Sequence, residues 1–485
     1  MKFNKLFVLA AVLALLFVAG CEDRSDLTAP EAPNTGTADF TTFVSLGNSL
    51  TAGFADNALY KSGQEYSYGS QIAAQVGVSY VQPLISDPGI PGRLEIQQFV
   101  ISGGSIVSVV TAANTEMGTP LNLTYAAPYN NIGVPGSILY DLVDETDFAT
   151  KSTQRGNPYF NLILRDAQFG ASMLKQAINL NPTFVTLWIG NNDVLGYATS
   201  GGTRGTDATG TLPTDPAVFN ALYTQVGAAL AGTGAKVVVA NIPNINAIPF
   251  FNTVGPVVGV TLKPLFDAGT IADFYYQKNG ETFASGTAKY IDLVTGAVKI
   301  TLVGSTYASL IGQPTGQFYT DNGITPPAGI DITKPFGLHP QNPWPDALIL
   351  DADEQALIAS RVSSFNATIS AVASANGFGL VDINGVFDAI KSAEATGGMM
   401  YNGVTFTTGF LSGGLFSLDG VHPTAQGQAI VANEFIKIIN AKFSASIPEI
   451  NVATIPGSIN LKKAGDKYDT YLPVYENMLL KDFIF

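Results

Sequence analysis

The chain has 485 residues, 46% of them hydrophobic, which is enough for one enlarged α/β domain or for two to three domains. Its formal net charge is −14, and such an acidic surface argues against nucleic acid as a partner, because it repels phosphate backbones. Two histidines and one cysteine are too few for a multi-histidine metal site, for the usual zinc clusters or for an intrachain disulfide.

The N-terminus has the pattern of an export signal. Two lysines precede an apolar stretch, Leu6 to Ala19, which is short of the roughly 18 or more apolar residues of a membrane span. Cys21 then ends the sequence LFVAGC, which resembles the lipobox of bacterial lipoproteins. We expect a signal peptide over 1–20 and a flexible tether over 21–39. The resemblance implies a lipid on Cys21 and an exported, membrane-anchored protein; the alternative is a plain signal peptide with an incidental cysteine.

Apolar runs alternate with helical patterns over residues 40–445. Strands are predicted at 42–47, 183–190, 235–243 and 378–383, and helices at 166–182, 214–234, 354–377 and 424–443. The second helix begins with Asp215 as its N-cap and Pro216 at its first position. Such alternation predicts a three-layer α/β/α fold, in which helices cover both faces of a parallel sheet.

Two regions interrupt this alternation. Residues 87–157 contain only weak elements, and residues 244–345 include a predicted hairpin over 289–304 with Thr295 and Gly296 at its turn. We interpret both regions as insertions beside the rim of the sheet. Residues 446–485 form a C-terminal tail to which the sequence assigns no place.

Two polar residues follow predicted strands directly. Ser49 comes after the strand at 42–47, and Asn192 comes after the strand at 183–190. In parallel sheets ligands bind at the carboxyl ends of the strands, so both side chains are expected on one rim. The N–H groups at a helix start could stabilise an oxyanion beside the serine, and the amide could donate to the same oxygen. The alternatives are a plain N-cap at Ser49 and an Asx turn at Asn192.

Base catalysis near neutral pH would use one of the two histidines. His422 lies in LDGVHPTAQG, where Pro423 disfavours helical dihedrals, and Asp419 is three residues earlier. In a loop this spacing lets the carboxylate hold one imidazole nitrogen while the other takes a proton from a serine. The alternative is a turn with a surface histidine. His339 has no acid within five residues, and we interpret it as structural or as part of a binding surface.

Four segments, GNSLTAG, GVPGS, GNND and DGVHP, occur in the order of the four sequence blocks of the SGNH (GDSL) hydrolases, a lipase and esterase family. The resemblance implies that Ser49 is the nucleophile, that His422 is its base and that Asp419 completes the triad. It also implies that the oxyanion is held by the N–H groups of Ser49 and Gly136 and by the amide of Asn192.

The chain departs from the family pattern in two ways. Asn48 replaces the usual Asp before the serine, and it can bond the turn backbone but carries no charge. The gap between Ser49 and Gly136 is long for the family, so Gly103 or Gly104 is the alternative donor.

The resemblance implies a hydrolase of carboxylic esters, of lipase or acylhydrolase type, that works through an acyl-enzyme and needs no metal or organic cofactor. The expected partners are an ester substrate, either a lipid or an acylated small molecule or glycan, and a membrane through the anchor. Two alternatives stay open. One is a carbohydrate acetyl esterase with the same mechanism, and the other is a surface lipoprotein that binds a ligand on an inactive hydrolase scaffold.

Overall fold

The structure, a computed structural model, describes residues 33–102, 105–203, 206–207, 210–278, 284–457, 471–476 and 478–483. The predicted signal peptide, Cys21, most of the tether and the alternative donors Gly103 and Gly104 lie outside these residues. Within the described part of the chain, no helix has the length and apolar character needed to span a bilayer.

The central sheet is parallel throughout. The strands of the chain are β1 (Phe43–Gly47), β2 (Leu94–Ser102), β3 (Ser105–Ala113), β4 (Asn131–Gly133), β5 (Phe184–Trp188), β6 (Thr206–Asp207), β7 (Gly210–Thr211), β8 (Lys236–Ala240), β9 (Phe274–Gln277), β10 (Ala284–Ala288), β11 (Lys299–Ile300), β12 (Ile349–Leu350), β13 (Gly379–Val381), β14 (Met399–Tyr401), β15 (Val404–Phe406) and β16 (Leu472–Glu476). Among the described residues the central sheet has the order β13-β8-β5-β1-β4. Its strands therefore end on one common rim.

Helices connect these strands. They are α1 (Ser49–Ala52), α2 (Lys61–Gln64), α3 (Tyr68–Val76), α4 (Phe148–Arg155), α5 (Tyr159–Leu164), α6 (Met173–Asn179), α7 (Asn192–Thr199), α8 (Pro216–Gly232), α9 (Pro249–Asn252), α10 (Val254–Asp267), α11 (Tyr290–Thr295), α12 (Ser305–Ala308), α13 (Gln317–Asp321), α14 (Ala352–Ala375), α15 (Ile383–Ala393) and α16 (Ala425–Phe443). Short 3₁₀ turns lie at Leu139–Leu142, Ala167–Phe169, Ile245–Ala247, Leu302–Gly304, Asp346–Leu348, Glu394–Thr396, Val452–Thr454 and Leu480–Asp482.

Both faces of the sheet are covered, as the near-continuous apolar strands predict. In β1, Phe43 belongs to the core that contains α3, α15 and α16, whereas Val44 belongs to the core that contains α6, α8 and α14. All five residues of β1 are buried, because successive side chains enter opposite cores. The predicted three-layer α/β/α fold is confirmed.

The predicted hairpin over 289–304 is wrong. Residues Tyr290–Thr295 form α11, and Gly296 ends this helix at a φ of +76°. The Asp292 carboxylate accepts the Lys289 N–H at 2.7 Å, which stabilises a helix start that the strand pattern did not reveal. Within this range only Lys299–Ile300 forms a strand, and it pairs with β12 rather than with its own neighbours in the chain.

The region 87–157 is more ordered than predicted, and part of it belongs to the core fold. β2 and β3 form an antiparallel pair of nine residues each. β4, at Asn131–Gly133, is an edge strand of the central sheet, which its three residues could not signal in the sequence. β16, from the tail, adds to β3 in parallel.

Candidate active site

The corner after β1 is built around glycine and asparagine. A Cβ at Gly47 would lie 2.3 Å from the carbonyl oxygen of Trp188 on β5, so only glycine fits there. Asn48, rather than Ser49, is the N-cap of α1, and its Oδ1 accepts the Leu50 N–H at 3.0 Å. Because Asn48 caps the helix, the Ser49 hydroxyl is not needed for capping.

A continuous hydrogen-bonded chain links three side chains at this rim. Ser49 Oγ lies 2.8 Å from His422 Nε2, and His422 Nδ1 lies 2.9 Å from Asp419 Oδ2. Ser49, His422 and Asp419 are 2%, 1% and 0% exposed, so water competes little for these bonds. This arrangement can move a proton from the hydroxyl to the imidazole while the carboxylate fixes the imidazole tautomer.

Asp419 is surrounded by donors. Its Oδ1 accepts the N–H groups of Val421 and His422, and its Oδ2 accepts the N–H of Asn57, each at 2.9 Å. Burial alone would raise the pKa of Asp419, but the charge interaction with His422 and these hydrogen bonds hold that pKa below its ordinary value. The carboxylate therefore stays charged beside the imidazole.

Asn192 lies at the start of α7, beside the same pocket as Ser49. Its Nδ2 donates to the Ser137 carbonyl at 2.9 Å, and a primary amide has a second N–H to offer. Gly136, next to Ser137, has a φ of +74°, which favours glycine. The described walls of the pocket include Asn192 and Ser49 but not Gly136. The structure thus places Asn192 and Ser49 in the wall of the same pocket. Gly136 is not in that wall, but it directly precedes Ser137, whose carbonyl accepts the Asn192 amide.

Asn191 is a pocket residue that sequence reasoning missed. Asn48 Nδ2 donates to Asn191 Oδ1 at 3.1 Å. Because Asn48 Oδ1 already accepts the Leu50 N–H, the nitrogen end of the Asn48 amide must face Asn191. Asn191 consequently turns its oxygen to Asn48. An aspartate at position 48 could accept from Leu50 but could not donate to Asn191.

The pocket in front of Ser49 and His422 has mainly apolar walls. Its apolar lining consists of Leu50, Val194, Leu195, Ile242, Pro243, Ile245, Ile248, Val362, Phe387, Phe416 and Val421. Its described polar lining is limited to Ser49, His422, Asn191 and Asn192. Such a surface suits a hydrocarbon group and offers few partners for hydroxyl groups.

Asp56 and Asn57 lie behind the site and were also missed. Asp56 Oδ1 accepts the Leu418 N–H at 2.9 Å, and the Tyr60 hydroxyl donates to Asp56 Oδ2 at 2.6 Å. Both residues have left-handed backbones, with φ of +52° and +57°, which Asp and Asn tolerate better than most residues. Burial raises the pKa of Asp56, and the neighbouring Asp419 charge adds to this shift. In the sequence, the adjacent Asp and Asn of the segment ADNA were the one signal of a left-handed turn at this place.

His339 lies in another loop. Its Nδ1 accepts the Gln341 N–H at 3.1 Å, and it is not among the described residues of the pocket. This local bond agrees with a structural role.

One comparison with known proteins matches a family model. Residues 315–435 match the family model described as GDSL-like Lipase/Acylhydrolase, a segment that contains Asp419 and His422. No curated protein matches. One matching solved structure is described as the crystal structure of LAE5, an alpha/beta hydrolase enzyme from the metagenome of Lake Arreo, Spain. It is 12% identical, with a TM-score of 0.32, over 84% of this chain and 97% of that one.

Proposed function

We propose that this chain, whose residues 315–435 match the GDSL-like Lipase/Acylhydrolase family model, is an ester-bond hydrolase that cleaves carboxylic esters of apolar acyl groups through Ser49, His422 and Asp419. The observation that carries the proposal is the buried chain of bonds from Ser49 Oγ through the His422 ring to Asp419, with distances of 2.8 and 2.9 Å.

Ester cleavage follows from this geometry in two steps. His422 Nε2 takes the Ser49 proton as Oγ bonds to the ester carbonyl carbon, and then returns that proton to the departing alkoxide. In the second step, the same nitrogen takes a proton from water as the water oxygen bonds to the acyl carbon. It then gives this proton to Ser49 Oγ as the bond between Oγ and the acyl carbon breaks and the acid departs. Asp419 keeps the imidazole in one tautomer and stabilises its positive charge in both steps.

The negative oxygen of each tetrahedral intermediate needs donors. The Ser49 N–H at the start of α1 and the second N–H of the Asn192 amide supply two of them. The Gly136 N–H, implied by the family resemblance, is the third. Its support is the Asn192 bond to Ser137, which brings the GVPGS segment against the amide.

The pocket walls favour an acyl chain longer than acetyl. Each buried methylene contributes roughly 0.8 kcal/mol, so an apolar pocket gains affinity with chain length until the pocket is full. A carbohydrate acetyl esterase remains the second candidate for the substrate, and it would leave most of these apolar walls without a partner. The membrane anchor on Cys21 remains a proposal that the LFVAGC sequence supports.

A fluorophosphonate probe and a series of p-nitrophenyl esters from acetate to palmitate test the proposal. We expect the probe to label the wild-type protein but not Ser49→Ala. Ser49→Ala and His422→Ala should each lower ester turnover by ~10⁴ or more, because the triad acts as a unit. His339→Ala is the matched control and should keep wild-type turnover.

Other outcomes would change the assignment. A folded wild-type protein that the probe does not label would favour a ligand-binding scaffold. Turnover that is highest for acetate and falls with chain length would favour the carbohydrate acetyl esterase.

A further inference from the structure

A distant part of the chain packs behind the loop that holds Asp419. We call residues 417–422 the acid loop and the described residues 471–476 and 478–483 the tail segment. The Tyr475 hydroxyl donates to the carbonyl of Leu418 at 2.7 Å, directly before Asp419. Tyr475 is 1% exposed, so this bond is shielded from water. The tail segment thus contacts the acid loop itself.

The tail segment also contacts two residues that bond the acid loop. Asn57 Nδ2 donates to the Asp482 carbonyl at 2.8 Å, while the Asn57 N–H donates to Asp419 Oδ2. The Phe483 ring lies edge-on to the Phe250 ring at 6.3 Å, while the Phe250 N–H donates to the Gly420 carbonyl at 3.0 Å. Leu418, Asp419 and Gly420 are thus each linked to the tail segment, either directly or through one other residue.

The segment is fixed at its other side, so it can act as a support. β16 pairs in parallel with β3 over its five residues, from Leu472 to Glu476, and Ser108 Oγ donates to the Leu472 carbonyl at 2.9 Å. The Tyr475 and Phe483 rings pack edge to face at 5.4 Å. The tail segment thus connects the acid loop to the sheet formed by β16, β3 and β2.

We propose that Tyr475 is a positioning residue for Asp419, acting through the Leu418 carbonyl, and that the tail segment is an integral part of the active centre. The proposal rests on the proposed function. Without the hydroxyl, a buried carbonyl would lose its partner, and the acid loop would relax to find another. A small displacement of Asp419 would misalign His422 relative to Ser49 and slow proton transfer.

This role predicts a specific kinetic pattern. The tail segment does not contribute to the described walls of the apolar pocket, so substrate binding should not depend on it. Tyr475→Phe should therefore lower kcat by roughly 3- to 10-fold, the size expected for one hydrogen bond, with KM within about twofold of wild type.

Tyr471→Phe is the matched control. Tyr471 is a buried tyrosine of the same segment, and its hydroxyl donates to the Phe410 carbonyl, outside the acid loop. Both variants should lower the melting temperature, because each loses one buried bond, but Tyr471→Phe should keep kcat within about twofold. A purely structural role would give equal kcat values for the two variants, and that result would overturn the proposal.

If Tyr475→Phe does not fold, a second variant, Asn57→Gly, tests the same proposal. Asn57→Gly removes the side-chain bond to Asp482 but keeps the N–H to Asp419 and tolerates the left-handed backbone. It should also lower kcat at constant KM, and an unchanged kcat would contradict the proposal. Failure of the proposed function is recognised separately, because the wild-type protein itself would then not hydrolyse the esters.

Discussion

The corner that carries Ser49 and the acid loop that carries Asp419 are held in different ways. At the corner, the Asn48 side chain bonds the N–H of Leu50, two residues away, and β1 is aligned by the neighbouring strand β5. The Asn48 amide also donates to Asn191, a residue that follows this neighbouring strand. The acid loop instead depends on residues far away in sequence. Leu418 bonds both Asp56 and Tyr475, and Asp419 bonds Asn57.

This difference shows two ways to place a reactive group. A helix cap and a strand end fix the nucleophile through local backbone geometry, so a short motif suffices. The Asp419 carboxylate accepts two N–H groups of its own loop, those of Val421 and His422, but the position of the loop also requires hydrogen bonds from distant elements. Substitutions at the corner should therefore act locally, whereas substitutions around the loop should act from a distance.

Asp419→Asn should have the largest effect on the loop side of this comparison. The amide keeps the shape of the carboxylate, but it stabilises neither the correct imidazole tautomer nor the imidazolium, so kcat should fall by about 10³ or more. Steady-state hydrolysis of a p-nitrophenyl ester measures this. Asp56→Asn is the control, because the half-buried Asp56 carboxylate lies beside Asp419 and accepts the Leu418 N–H of the acid loop without bonding the His422 ring. We expect kcat of Asp56→Asn to fall by about tenfold or less. Equal decreases in kcat for the two variants would contradict the view that Asp419 acts in the triad and Asp56 only supports its loop.

Asn48→Asp should have a smaller effect on the corner. Aspartate keeps the cap to Leu50 but brings two acceptors face to face at Asn191 Oδ1, unless the Asn191 amide turns over. We expect kcat to fall by about 3- to 10-fold, although the substitution restores the residue that is usual in the family. Asn48→Ser separates the effect of the added charge from the effect of losing the amide bond to Asn191, since serine keeps an acceptor without adding a charge. An unchanged kcat in both variants would show that the Asn48–Asn191 bond is dispensable.

The smallest expected effect concerns Asp193, which follows Asn192 on the rim and, like Asp419, is held by distant residues. It accepts the Leu139 N–H and the Thr214 hydroxyl, each at 2.8 Å. Burial raises its pKa from 3.8 to about 7. Between these values the folded protein binds a proton that the unfolded chain releases, so this group's contribution to stability falls as pH rises from about 4 to about 7.

Melting temperatures across this pH range check the sign. Asp193→Asn does not titrate at this position, so its melting temperature should gain on that of wild type as pH rises through the window. A difference between the two proteins that does not vary with pH would show that Asp193 keeps its ordinary acidity.

The sequence predicts the corner that carries Ser49 well, but it does not predict the contacts that hold the acid loop. The apolar strands and the GNSL corner follow from short-range patterns, and β1, β5, β8 and β13 lie inside their predicted ranges. Asp419 and His422 were found by their spacing of three. Asp56, Asn57 and Tyr475 could not be found, because their contacts join segments about 360 and 57 residues apart in the chain. β4 and α11 were missed because three and six residues are too few to show a period.

The parallel pairing of β16 with β3 has a consequence for the time course of biosynthesis. Ser49 leaves the ribosome early, whereas the residue that fastens the acid loop is made more than four hundred positions later. A nascent chain that has released α16 contains the whole central sheet and all three triad residues, yet by our proposal it would still lack full hydrolytic competence until β16 follows. Esterase activity should thus be acquired late in maturation, after the bulk of the protein is already compact.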